Sequence, residues 1–432
     1  MSIFETVKSK ILSRSVEAKE RKVGVEIESF YYRDKDFLRI PVNSENQYSA
    51  SSLLNDISRE ATENKERYSY SLEPGGQLEW ASSPQISLWD IDVEYKKHLA
   101  SQKILCKKNN INVGHFSVEP ISPPQDITLI NSKKYHLMNG MFKKTGSLGP
   151  WMMRNTTSLQ LNIDHLNEED ANHMAYIADA IQPLASILFS NAPFKEAVPV
   201  GLQNLRWKIW NDTDKSRCRT LFDHNIKNPK NLIDKYTEWL LLRKAIFIEN
   251  PAGTFRGFDG TLKEMITTNE GEHLIDSAFR QIFTHVRFKT VLEVRSCDRQ
   301  KKGNEIIPAA FLAALLTTEI TRGNLLEEIM TWTNEDRLRL SNSAHTVDFS
   351  SSGPKNKSIG YWLEYLCQLS LDGLDERAKI FNIKNERPLL DLKLQNIISS
   401  GTETTQVQND FKNSKQSLKS FIRENYLDLY SD

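Results

Sequence analysis

Carboxylates, amides and arginines recur with a two-residue period in four short stretches of this chain. They are V-G-V-E-I-E-S-F (23–30), Y-S-L-E-P-G-G-Q-L-E-W (70–80), S-L-Q-L-N-I-D (158–164) and V-R-F-K-T-V-L-E-V-R (286–295). Side chains alternate faces along a strand. Glu26 and Glu28 therefore share one face, opposed by Val23, Val25 and Ile27. Gln160, Asn162 and Asp164 oppose Leu159, Leu161 and Ile163, while Arg287, Lys289, Glu293 and Arg295 oppose Phe288, Leu292 and Val294. Carboxylates repeated at i, i+2 repel one another unless a cation sits between them. Joined in one sheet, these faces make a polar floor of clustered acids and fixed arginines. Such a floor suits a divalent cation and a nucleotide.

Each string also has an ordinary reading. Taken alone, Glu26 and Glu28 can be a solvated strand face, and magnesium can equally bridge such a pair because it prefers oxygen ligands. Pro74-Gly75-Gly76 reads as a tight turn in which glycine lets a ligand approach the backbone. Glu73 and Glu79 bracket that turn, either aimed into one pocket or solvated on a plain hairpin. In G-L-Q-N-L-R-W-K-I-W-N-D-T-D-K-S-R (201–217), Arg206 and Arg217 stand among Trp207, Trp210, Asp212 and Asp214. That grouping suits bidentate binding of a carboxylate or phosphate, or a structural cation–π and ion-pair cluster. The chain has no G-x-x-x-x-G-K-[ST] loop, G-x-G-x-x-G fingerprint, H-E-x-x-H or G-x-S-x-G. ATP, if used, must meet metals and arginines on a sheet.

The elements that must hold these residues are legible in outline. Residues 1–20 read as a short charged helix. Leu88, Ile91, Tyr95 and Leu99 mark a helix over about 84–110, and Met174, Ile177, Ile181, Leu184 and Leu188 another over about 167–190. P-A-A-F-L-A-A-L-L-T-T-E-I (308–320) is apolar on nearly every side and reads as a buried helix. The segment 341–358 reads as a flexible loop and the Thr/Gln-rich stretch 399–410 as peripheral. With 432 residues, 56 basic and 56 acidic, a large core is possible and no net field favours nucleic acid or membranes. Four separated cysteines (Cys106, Cys218, Cys297, Cys367) form no zinc cluster or disulfide scaffold, and no apolar run approaches the roughly 20 residues that span a bilayer. Composition thus leads to the expectation of a cytoplasmic protein with reduced thiols.

In order along the chain, these strings resemble the glutamate–cysteine ligases of the plant and proteobacterial type. The resemblance rests on G-V-E-I-E (24–28), L-E-P-G-G-Q-L-E (72–79), K-T-G-S-L-G-P-W-M-M-R-N-T-T-S-L-Q-L-N-I-D (144–164), N-A-P-F (191–194), R-W-K-I-W-N-D-T-D-K-S-R (206–217) and V-R-F-K-T-V-L-E-V-R-S-C-D (286–298). It implies an α+β, glutamine-synthetase-like fold: a large, mostly antiparallel sheet with a polar catalytic face and helices on the other. The expected organisation is a single catalytic domain over 1–432, with a motif-bearing core over about 20–330 and a helical and loop region over about 331–432.

The resemblance further implies an ATP- and Mg²⁺-dependent ligase forming γ-glutamylcysteine from L-glutamate and L-cysteine, the first step of glutathione biosynthesis. Glu26, Glu28, Glu73, Glu79, Gln160 and Glu293 would hold Mg²⁺ around the ATP phosphates, with Gln160, Asn162 and Arg217 toward the nucleotide. Arg206 would pair with a carboxylate of glutamate beside Thr156 and Met153. Arg287 and Arg295 would face the transferring phosphoryl group. Departures from the family pattern fall at Trp80, Asn155 and Ala278, so the amine substrate is where a relative would differ: another amine, a carrier, or a silent regulatory paralogue. Partners are expected to be small molecules only, without nucleic acid or membrane, in a monomer or homodimer.

Overall fold

A computed structural model describes residues 2–43, 46–268 and 273–430. Its centre is an antiparallel sheet of β1 (Val23–Arg33), β2 (Ser69–Leu72), β3 (Leu78–Ala81), β4 (Ile111–Gly114), β5 (Ser158–Ile163), β6 (Val286–Phe288), β7 (Leu292–Asp298) and β8 (Leu427–Asp428). The order is β6-β7-β5-β1-β3-β2, and the distal half of β1 pairs instead with β4, which carries β8. The four chemistry-bearing strings are therefore neighbours.

Alternation set this arrangement. Val23, Val25, Ile27, Leu159, Leu161, Ile163, Leu292 and Val294 are all buried on one face. Each such fully buried Leu or Ile contributes about 1.5–3 kcal/mol, and a one-residue slip of register would exchange that face for the carboxylates. Eight helices matter to the layers around the sheet: α1 (Ile3–Leu12), α2 (Leu88–Asn109), α3 (Lys133–Thr145), α4 (Gly149–Asn155), α5 (Glu168–Leu188), α6 (Leu205–Asn211), α7 (Ile307–Thr317) and α8 (Ile359–Ile380). Helices α5 and α7 lie against β7 and β5. Every residue of α7 is buried, as its all-round apolar sequence requires. Asn167 caps α5 by accepting the Asp170 N–H at 2.9 Å, and the acidic first turn suits the positive end of the helix dipole.

The α+β fold with a polar sheet face and helices behind it is as expected, and so are the helices over 88–109, 168–188 and 307–317. Two segments differ. Residues 341–358 are an ordered crossing rather than a loose loop: Val347 N–H donates to Leu202 O at 2.8 Å and Trp362 Nε1 to Pro354 O at 3.0 Å. The stretch 399–410 is not peripheral. Thr402 caps a helix over Glu403–Ser414, and the buried Thr404 exchanges a 2.8 Å hydroxyl bond with Ser190. Ser, Gly and Thr served there as caps and turns.

Candidate active site

Register assembles the acids. Glu28 stands opposite Glu79, Glu26 opposite Gln160, and Glu293 opposite both Arg287 and Asn162. Directly paired residues share a face, so all of them lie on one floor. The β2–β3 turn adds Glu73. Gly76 takes φ +78° and donates to Glu73 O at 2.8 Å. Buried Gln77 locks the turn, accepting from Gly75 N–H at 2.9 Å and donating to Thr156 O at 2.8 Å. A β-carbon at Gly75 would stand 2.6 Å from Arg154 Cα and O, so the chain can pass only as glycine. Glu28, Glu73 and Glu79 each bring a carboxylate oxygen within 4.8 Å of the others.

Electrostatics divide the floor into two ends. At the acid end, burial and then the neighbouring Glu73 push Glu28 up to about 8. Burial, with Glu26 and Glu73 adding to it, lifts Glu79 well above the ordinary range. Burial raises Glu73 too, against the pull of Lys134 and Arg295. At the other end burial works to raise Glu293, but Arg287, Lys289 and Arg295 overcome it and hold the carboxyl well below its usual value. Arg287 Nε donates to Glu293 Oε2 at 2.5 Å, Arg295 donates to the same oxygen at 2.9 Å, and Lys289 Nζ pairs with the other. A bulge between Val294 and Cys297 lets Arg295 turn across the floor. Arg295 also donates to Gln160 Oε1 at 2.6 Å, and Gln160 Nε2 reaches Glu28 at 3.1 Å and Glu79 at 3.4 Å. Gln160 therefore ties the cationic end to the acid end.

Above the floor is a cavity of about 240 Å³. Glu26, Glu28, Glu73, Glu79, Gln160, Thr156, Arg287 and Arg295 all line it. Other expected members stand elsewhere. Asn162 lies at the edge of the floor, donating to Glu26 Oε1 at 2.9 Å. Glu293 is fully buried beneath its three cations. Arg206 sits one layer behind, donating to Ser296 O at 3.0 Å and Arg295 O at 3.3 Å, which fixes the backbone of Arg295. Met153 is buried in an apolar cluster, and its neighbour Met152 faces the cavity instead. Arg217 is consumed by Asp214 at 2.9 Å and by the carbonyls of Gln281 and Lys244, so it is a structural staple. Trp80 and Ala278 belong to the apolar core, and Asn155 gives its amide to Ser122 O at 2.6 Å, so none of these departures lines the cavity.

Of the roof, the sequence pattern singled out only Trp210, as a neighbour of Arg206 and Arg217. Lys134, Tyr135 and Met138 come from α3, Trp210 from α6, and Arg280 and Phe283 from the segment before β6. Lys289 was visible on the polar face of its strand and lines the same cavity. For α3, no strand-like alternation signals which side meets the sheet.

Three carboxylates whose proton affinity burial and neighbouring carboxylates raise are a fit for a divalent cation, which would replace their protons. The sign is testable. With proton affinity raised in the folded state, the metal-free fold binds more protons than the unfolded chain, whose carboxylates titrate near about 4.3. Its stability therefore falls as pH rises from that value through about 8. Added Mg²⁺ should raise Tm more at pH 8.5 than at pH 6. A thermal-shift gain equal at both pH values would remove these acids as ligands.

An antiparallel sheet carrying clustered acids and fixed arginines on one face, with helices behind it and a roofed cavity above, defines the glutamine-synthetase-like fold. The same fold occurs in a glutamate–cysteine ligase from Francisella tularensis solved in complex with AMP, with TM-score 0.54 and 13% identity over 93% of this chain and 87% of that one. The chain belongs to glutamate-cysteine ligase family 2 (GCS2), whose family model matches residues 22–348. It is 30% identical over 327 residues to the chloroplastic glutamate–cysteine ligase of Medicago truncatula, covering 72% of this chain and 62% of that protein. It is likewise 30% identical to the chloroplastic ligase A of Oryza sativa subsp. indica, covering 64% of that protein. The match thus spans just under two thirds of these relatives. Their names overturn the cytoplasmic expectation: the plant relatives are chloroplastic. Reduced, separated cysteines report a reducing environment and do not identify a compartment. Among the described residues, no helix is long and apolar enough to cross a membrane.

Proposed function

We propose that the protein is an ATP- and Mg²⁺-dependent ligase that joins the γ-carboxylate of L-glutamate to the amine of L-cysteine, the first step of glutathione biosynthesis. The observation that carries this reading is the juxtaposition of Glu28, Glu73 and Glu79 with Arg287 and Arg295 in one cavity of a family-2 chain. The pairing of β8 with β4, which returns residues 427–428 to the sheet, supports treating 1–432 as one catalytic domain.

A carboxylate is a poor electrophile, so the reaction needs an activated γ-glutamyl phosphate. The glutamate oxygen attacks the terminal phosphorus of ATP and ADP leaves; the amine then attacks the acyl carbon, loses a proton and expels phosphate. Glu28, Glu73 and Glu79, with Glu26 and Gln160 beside them, would hold Mg²⁺, which supplies charge neutralisation for the ATP phosphates. Arg287 and Arg295 are preorganised by Glu293 and need no rearrangement to meet the charge on the transferring phosphoryl group. Lys134 and Arg280 on the roof offer cations to substrate carboxylates. Met138, Met152, Trp210 and Phe283 keep water from the acyl phosphate.

Phosphate release should require ATP, Mg²⁺, glutamate and an amine together. Undiminished release without glutamate would reject the ligase reading. Across cysteine, 2-aminobutyrate, alanine, serine, glycine and simple amines, cysteine should give the highest kcat/KM. 2-Aminobutyrate, nearly the same shape, should retain activity, because small side-chain differences are worth only about 1–3 kcal/mol. A simple amine that beats cysteine tenfold would overturn the choice of amine and leave the acid–arginine mechanism standing.

A further inference from the structure

Helices α3 and α4 wall the acid-floored cavity with Lys134, Tyr135, Met138 and Met152. Other residues of the same two helices, with the segment 124–129, line a separate depression of about 740 Å³. Its ionisable side chains are His136, Lys143 and Arg154, and no Asp or Glu is among its lining residues. One lining residue, Ser147, meets an acid, Asp212, through its hydroxyl, while none of the three ionisable side chains forms an ion pair among the described residues. Arg154 carries the imbalance furthest. Its Nε is shielded from solvent without a hydrogen-bond partner, and burial alone pulls the guanidinium's pKa down, with no carboxylate opposing it. Arg154 is half-buried and has no carboxylate partner among the described residues, whereas Arg21 is matched by Asp170 at 2.6 Å, Arg217 by Asp214 at 2.9 Å and Arg377 by Glu386 at 2.8 Å. Lys143 is exposed, and Trp151, whose ring centroid lies 4.6 Å from Lys195 Nζ, forms part of the wall.

We propose that this depression is a second anion-binding site, separate from the acid-floored cavity, that takes a small molecule bearing two or more phosphate or carboxylate groups. A guanidinium grips one such group through paired N–H donors, and an ammonium holds another as a point charge. The aromatic wall at Trp151 gives the ligand a surface that bulk solvent does not.

Binding of pyrophosphate and of citrate to the full chain, each titrated by calorimetry in metal-free buffer at low and physiological salt, tests the proposal and separates the two ligand chemistries. At least one should bind saturably at one site. Lys143→Gln with Arg154→Gln should weaken it at least tenfold. Lys143→Gln alone, a change at an exposed position, should weaken it about threefold, while Arg295→Gln, in the other cavity, should leave it unchanged. Failure of both probes to saturate, parent-like affinity in the Lys143 and Arg154 double variant, or loss of binding in Arg295→Gln would each overturn the second site. None of these outcomes depends on turnover, so failure of the second site is distinguishable from failure of the ligase reading.

Discussion

Glu28→Gln is expected to lower kcat by at least about 100-fold, the usual scale for removing a charge-stabilising group from a preorganised site. The same substitution should leave the metal-free protein as stable as the parent, or more so. Both expectations follow from one fact: Glu28 is a buried carboxylate whose neighbours Glu73 and Glu79 repel it, with burial and that repulsion holding it near 8. An amide keeps the shape and can still accept from Ser158 Oγ, which now donates to Glu28 at 3.0 Å. It no longer adds charge to the cluster, so the fold loses nothing without metal, while the site loses a ligand. Steady-state phosphate release at subsaturating Mg²⁺, alongside chemical denaturation, reads both. Near-native turnover would remove Glu28 from the metal site. A large loss of metal-free stability would mean that its carboxylate is already paired.

Glu293→Gln should behave in the opposite way. The side chain is fully buried and is the common counter-charge of Arg287, Lys289 and Arg295. Removing it leaves three cations facing one another, a loss of about 3–5 kcal/mol for an uncompensated buried charge. Because Glu293 is held below the ordinary carboxylate range, its contribution is present above the unfolded value of about 4.3 and is lost as pH falls through the folded one. Parent and variant should therefore differ most near neutrality and converge in acid. Activity should fall as well, since Arg287 and Arg295 lose the anchor that aims them. Equal stabilities at neutral pH would show that the cations hold their places without Glu293. The paired result, one glutamate neutral to the fold and the other essential to it, distinguishes residues that a strand pattern alone places on the same face.

That limit explains what was legible. The two-residue period marked the polar faces of β1, β3, β5 and β7, and the Pro-Gly-Gly turn marked Glu73, because alternation and glycine chemistry are local properties. Which groups neutralise one another is not local. Glu293 read as a metal ligand because the faces of Arg287, Lys289 and Arg295 were visible but their convergence on one carboxylate was not. Arg217 read as a nucleotide contact because its partners Gln281 and Lys244 come from distant segments. Lys134 and Arg280 gave no signal, since the side of α3 and of the segment before β6 that meets the sheet is decided by packing of the whole molecule.

The most direct measurement follows oxygen. Glutamate carrying ¹⁸O in its γ-carboxylate, incubated with the protein, ATP, Mg²⁺ and cysteine, should deliver one labelled oxygen to each phosphate released, because the carboxylate oxygen that attacks phosphorus departs with it. Amide formation accompanied by unlabelled phosphate would contradict the γ-glutamyl phosphate and, with it, the division of labour between the acid and arginine ends of the floor.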